Sequence, residues 1–365
     1  MVNQSKMNMN SKKSDLNFKP ARDVWIDFAK FVAIIAVMVD HSWNILYDEL
    51  FIRNLSYFSV SLFIILMGVT SYKSCERGKY LVSKKLLGII KPYLVASFIY
   101  DVVIYETFNF ERYVSSLIRF NGSRPFYFVL LYIQLVFVCP VYYGWFQCST
   151  KKRYPFLMEF AALIVVIIIS RWTTSYTNIL SILGGGGKLL GGTYLILLYI
   201  GMWFAKYYER KQFSKKQSIA FLAVSFFFTS ICAWILAVGE FPFDKYLPLG
   251  SSLNPPGISL IFYAVFVSLL CYFLGTVINF YVNSVLAKLY IRVSSIGRHT
   301  FYIFLYHLLF LNYIFPFFKK NGISIHPRFL KRALYFPLII AGCIAIEYVL
   351  AFLERKIALC YKQVR

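Results

Sequence analysis

The chain has 365 residues, of which 59% are hydrophobic, 20% aromatic and 15% charged, and its formal net charge is +23. Soluble globular domains carry about 45–50% apolar and about 25% charged residues, so this composition excludes a soluble fold. Lys and Arg fall in short segments between apolar runs instead of on one soluble face, which excludes nucleic acid as the partner and points to membrane lipids.

The apolar runs are about 20 residues long, the length that crosses about 30 Å of hydrocarbon as a helix. They predict an all-α polytopic membrane helix bundle of about ten spans, near 24–42, 55–72, 86–105, 126–146, 156–172, 189–206, 217–238, 256–278, 299–318 and 334–353. Connections are short and no repeat is visible, so 24–353 reads as one membrane domain between a basic N-terminal segment (1–23) and a basic tail (354–365). The N-terminal segment lacks an apolar core followed by a small-residue cleavage site, so the first span is the insertion signal. With the N-terminus inside, the inner segments hold 25 of the 39 Lys and Arg residues, which predicts that both termini are cytoplasmic. The exception is 319–333, an outer loop with five basic residues, suited to an anionic partner. None of the seven Cys residues forms a pair in an outer loop, so no disulfide framework is expected. No Cys/His set has metal-ligand spacing either, and no metal is expected.

The first span, WIDFAKFVAIIAVMVDH from Trp25 to His41, carries more charge than an anchor needs. Ionisable residues within a span are costly and usually face a protein interior or a wet cavity. Eleven residues of α-helix make three turns plus about 20° and rise about 16 Å, so Lys30 and His41 share one face. An imidazole at the outer end of the span either meets headgroups or serves as a general base for a hydroxyl. Lys30 on the same face favours the base. Asp27, three residues before Lys30, fits a neutralising role.

KKLLGIIKPY opens the third span. Lys84, Lys85 and Lys91 there suit the phosphates of a nucleotide-bearing cofactor arriving from the cytoplasm, although Lys84 and Lys85 alone also fit ordinary inner-side flanking. Asp101 lies near the outer end of this span at about the depth of His41, and would orient that imidazole if the helices touch. His307 in span nine and Glu347 in span ten sit at similar depths and could pair, as a structural contact or as part of a proton path; His299 is expected to be solvated at the membrane edge, and His326 has no visible partner. GGGGKLLGG (184–192) lacks the Ser or Thr that a phosphate loop needs after its Lys, and reads as a flexible or re-entrant connection.

Together these segments resemble the acyltransferase family 3 of integral membrane O-acyltransferases. The likeness rests on IDFAKFVAIIAVMVDH with Lys30 and His41, FSVSLFIILMGVTSYKS with Gly68, RPFYFVLLYIQLVFVCPVYY, and IGRHTFYIFLYH ending at His307, in that order along the chain. The family usually has Arg at the position of Lys30, Ser at that of Met67, and an Arg-x-x-Arg before span three, where this chain has only lysines. The resemblance implies a ten-span bundle in the bacterial cytoplasmic membrane that moves an acetyl group from acetyl-CoA to a sugar hydroxyl of a cell-surface polysaccharide or its lipid-linked precursor. It implies His41 as the base, with Lys30, Lys84, Lys85 and Lys91 on the donor. The alternatives are an O-succinyltransferase of the same family and a glycan or lipid flippase; the oligomeric state is open.

Overall fold

The computed structural model describes residues 23–175, 192–208, 211–239, 242–246, 249–250, 253–281, 284–321 and 328–363. Among them the fold is helical throughout, with two isolated bridges and no strand. The long helices are α1 (Val24–His41), α3 (Ser59–Glu76), α4 (Val82–Tyr105), α6 (Tyr127–Thr150), α7 (Pro155–Ser175), α8 (Tyr194–Tyr207), α9 (Lys215–Ala237), α11 (Ile258–Asn279), α13 (Thr300–Leu309) and α15 (Arg328–Gln363). Shorter ones are α2 (Leu50–Leu55), α5 (Phe110–Arg119), α10 (Pro242–Tyr246), α12 (Val285–Ile296) and α14 (Phe315–Lys320). A π-turn, Phe310–Ile314, links α13 to α14.

Eight of the described helical stretches are long and apolar enough to cross a membrane, α3, α4, α6, α7, α9, α11, α13 with its continuation, and α15. The other two expected spans coincide with α1, which carries Asp27, Lys30 and Asp40, and with α8, which is apolar but only 14 residues long. The GGGGKLLGG segment up to Gly191 and the loop residues 322–327, including His326, lie outside the described residues, as does the N-terminal segment to residue 22. α15 continues to Gln363, through most of the expected tail.

Lipid tails are as apolar as leucine, so helices in a bilayer associate through close packing and polar contacts more than through a hydrophobic driving force. Small residues supply the closest approach here. A Cβ on Gly68 of α3 would stand 2.5 Å from the Leu198 carbonyl oxygen of α8, and one on Gly201 of α8 would collide with the Ile65 carbonyl. Gly297 does the same between the α12–α13 link and α1, where a Cβ would run into the Asp27 carbonyl. A polar clamp joins α6, α7 and α8: Lys206 donates to Glu159 Oε1 (2.5 Å), Thr150 Oγ1 (2.8 Å) and the Phe146 carbonyl (3.2 Å). α9 begins with a reciprocal cap, in which Gln217 N donates to Ser214 Oγ and Ser214 N donates to Gln217 Oε1, satisfying two otherwise orphaned amides.

α1 lies inside this assembly. Ile26, Ala29, Ala33, Ile34, Ala36, Val37 and Met38 are buried against α3, α11, α12 and α13. The helix ends where Ser42 turns back, its N and Oγ both donating to the Met38 carbonyl, while the Tyr47 hydroxyl donates to the Val39 carbonyl at 2.5 Å. His41 is thereby held at the last position of a rigid element.

Candidate active site

Two groups of side chains lie at opposite ends of α1. At the Lys30 end, a cavity of about 420 Å³ is lined by Lys30, Lys84, Lys85 and Arg298 together with Thr70, Tyr132 and a set of apolar side chains. Four cationic side chains from α1, α4 and the α12–α13 link thus face one space. Arg298 is held there partly by Asp27, whose carboxylate lies 3.6 Å from the guanidinium Nε and is itself buried. The cavity continues away from its cations. Phe63 precedes Thr70 by seven residues of α3, about 10 Å along the helix. Phe63, Phe128 and Phe304, all lining residues, form a run of rings with centroids 6.2 Å and 5.0 Å apart.

Beyond Phe304 stand two histidines. The Phe304 and His307 ring centroids are 6.2 Å apart, and those of His307 and His41 are 5.2 Å apart. His307 is wholly buried. Its Nδ1 lies 2.9 Å from the Phe304 carbonyl oxygen and 3.1 Å from that of Ile303. Carbonyl oxygens only accept, so Nδ1 carries the hydrogen and Nε2 is turned away from the backbone. Nε2 has no hydrogen-bond partner among the described residues. The π-turn begins three residues later, at Phe310; such turns insert an extra residue and re-aim the helix, often at functional sites. His41 is half-buried, and the charged side chains within electrostatic range of it are Asp40, Arg53 and Arg124. Arg53 Nε donates to Asp40 Oδ1 at 2.9 Å and its guanidinium covers the Trp43 ring at 4.3 Å.

The structure therefore brings Lys30, Lys84 and Lys85 to one cavity and His41 and His307 to one another. It corrects two expected pairings and two expected placements. Asp101 does not serve His41: both its oxygens accept from Arg112, Oδ1 from Nε at 2.6 Å and Oδ2 from Nη2 at 2.9 Å. Arg112 comes from α5, an amphipathic helix with no apolar run to announce it. Glu347 does not pair with His307: it contacts His299 Nδ1 at 2.7 Å, so His299 is paired instead of simply solvated. Lys91 is exposed on α4 and is not among the residues lining the cavity. Sequence reasoning missed Arg298, although it sits inside the quoted IGRH, because an Arg next to an inner loop reads as topology. No group of three or more His, Cys, Asp or Glu among the described residues forms a metal cluster.

Membrane-length apolar helices, a cavity lined by four cationic side chains and a pair of histidines beyond its Phe304 wall define an integral membrane protein with a candidate binding site. The chain belongs to the acyltransferase 3 family: the family model, described as an acyltransferase domain, matches residues 23–352, nearly the whole chain. It is accordingly a membrane O-acyltransferase. No curated protein and no solved structure matches it.

Proposed function

We propose that the protein transfers an acetyl group from acetyl-CoA to a hydroxyl of a cell-surface glycan or its lipid-linked precursor, in the bacterial cytoplasmic membrane with both termini inside. The observation that carries this reading is a cavity lined by Lys30, Lys84, Lys85 and Arg298 and bounded by Phe304, whose ring centroid lies 6.2 Å from that of His307, itself 5.2 Å from that of His41. Ammonium and guanidinium groups bind phosphate strongly, the guanidinium in a fork. The phosphates of CoA would rest on those four side chains while its neutral arm follows the aromatic run.

His41 then takes the proton from the acceptor hydroxyl as its oxygen attacks the thioester carbonyl. The carbon–sulfur bond breaks, the ester forms, and the imidazolium returns its proton to the CoA thiolate. His307, oriented by its two backbone contacts, offers Nε2 beside the reacting imidazole. The aromatic passage favours acetyl over succinyl, because a free carboxylate would have to leave water among Phe63, Phe128 and Phe304, at a cost of several kcal/mol without a partner. Membership in an acyltransferase family favours transfer chemistry over the flippase alternative.

The test is acetyl transfer by purified protein from radiolabelled acetyl-CoA to glycan from cells lacking the chain. His41→Ala should reduce transfer at least 10²-fold, the lower range for loss of a general base, while acetyl-CoA still binds. Wild-type rates in that variant would remove His41 from the chemistry, and wild-type protein inert toward acetyl-CoA but active with succinyl-CoA would replace the donor.

A further inference from the structure

Asp101 and Arg112 belong to a second cavity. It lies between α4 and α5 on the His41 end of the bundle, has a volume of about 270 Å³, and is lined mainly by hydrogen-bonding groups, among them Ser97, Asp101, Arg112, Ser116 and Asn121. The cavity beside Phe156 and Trp203 is, by contrast, almost wholly apolar. We propose that the α4–α5 cleft is a sugar subsite, holding an uncharged ring of the acceptor glycan next to the ring that is acylated. The proposal rests on the glycan-acceptor reading above.

Three features select an uncharged polyhydroxyl ligand. The two charges in the cleft neutralise one another in a forked pair, so neither a phosphate nor an ammonium ligand finds an unmatched partner. The pair is pinned: Arg112 Nη2 also donates to the Thr107 carbonyl at 2.6 Å, and its guanidinium lies 3.8 Å from the centre of the Tyr105 ring. A pinned carboxylate has lone pairs left for hydroxyl donors, and a pinned guanidinium has N–H groups left for hydroxyl acceptors. Ser97, 1% exposed, adds a hydroxyl to the lining beside the Tyr93 phenol. The volume equals that of about nine waters, enough for one pyranose ring. A lipid tail, with nothing to offer these groups, would leave them unsatisfied.

The position fits the same ligand. α5 is amphipathic, with Arg112, Ser115, Ser116 and Arg119 at the i, i+3, i+4, i+7 spacing of one face and exposed Phe110 and Ile118 off it. The helix thus lies along the bundle's rim with its polar stripe available to the cleft. Tyr100, the neighbour of Asp101, donates its hydroxyl to the Leu305 carbonyl at 3.2 Å, two residues before His307. From Asn121 the chain needs three residues to reach Arg124, at most about 11 Å, and Arg124 lies within electrostatic range of His41. A glycan held by one ring in the cleft has its next rings directed toward the two histidines.

The experiment compares oligosaccharides of one, two and four sugar units cut from the unacetylated glycan of cells lacking the chain. Their binding to the full-length protein in detergent is measured without any acyl donor, and their KM in acetyl transfer separately. Wild type should bind four units at least 10-fold more tightly than one. Ser116→Leu, which fills the cleft, and Asn121→Ala, at an exposed position, should each erase most of that gain and leave the KM for acetyl-CoA and for the single unit unchanged. A length-dependent gain that survives in both variants overturns the subsite, as does wild-type binding that does not depend on length. Because binding is read without donor, a protein that binds long glycans in the cleft but transfers no acetyl group would sink the proposed reaction and leave the subsite standing.

Discussion

Lys30 and His41 are the residues that separate this helix from an anchor, and the proposed reaction gives them different tasks. Lys30 shares its cavity with Lys84, Lys85 and Arg298. A charge-assisted hydrogen bond contributes about 1.5–3 kcal/mol, a factor of roughly 10–100 in affinity. Lys30→Ala and Arg298→Ala should therefore each raise the KM for acetyl-CoA about 10-fold or more with a smaller change in kcat, and Lys30→Arg should retain donor use. Steady-state kinetics at saturating acceptor checks this; an unchanged donor KM in both alanine variants would place the phosphates elsewhere. Lys30 and His41 were legible in the sequence because they share one helix, where spacing alone fixes the face. Asp101 and Glu347 were misread because depth along a helix says nothing about which neighbour stands beside it. Arg112 took the first from α5, and His299 took the second one residue before α13 begins.

Among the elements, the apolar runs were legible because each must satisfy its own backbone bonds in hydrocarbon, which leaves helix as the choice. The amphipathic α5 and α12 were not, since they contain no such run, yet α5 forms a wall of the α4–α5 cleft and α12 packs directly on α1. The glycine of FSVSLFIILMGVTSYKS marks a helix crossing, α3 on α8 at Gly68 and Gly201. α8 is also tied to α6 and α7 by the Glu159–Lys206 clamp, with both side chains almost out of solvent. Removing one partner of a buried pair strands the other charge, typically at 3–5 kcal/mol. Glu159→Ala should lower thermal stability in detergent by that order, and the double change Glu159→Met with Lys206→Met should recover much of it. A single variant as stable as wild type would show that water reaches the clamp.

For the whole molecule, the charge bias predicts that the two ends of α1 face opposite sides of the membrane, with Lys30 toward the inside. In a Cys-free background, Asn121→Cys should react with a membrane-impermeant maleimide on intact cells, and Lys216→Cys only after lysis; the reverse result would invert the orientation and with it the side from which the donor arrives. Between the ends of α1 run Ala33, Ile34, Ile35, Ala36, Val37, Met38 and Val39, without a single hydrophilic side chain, most of them buried. In the proposed orientation, a catalyst open to the cytoplasm at one end and to the exterior at the other would risk short-circuiting the proton gradient of its own cell. This greasy stretch is built as an electrical insulator: its hydrocarbon side chains, packed against neighbouring helices, offer hydrated ions no wire of water along α1, so the proposed transfer would not spend the membrane potential there.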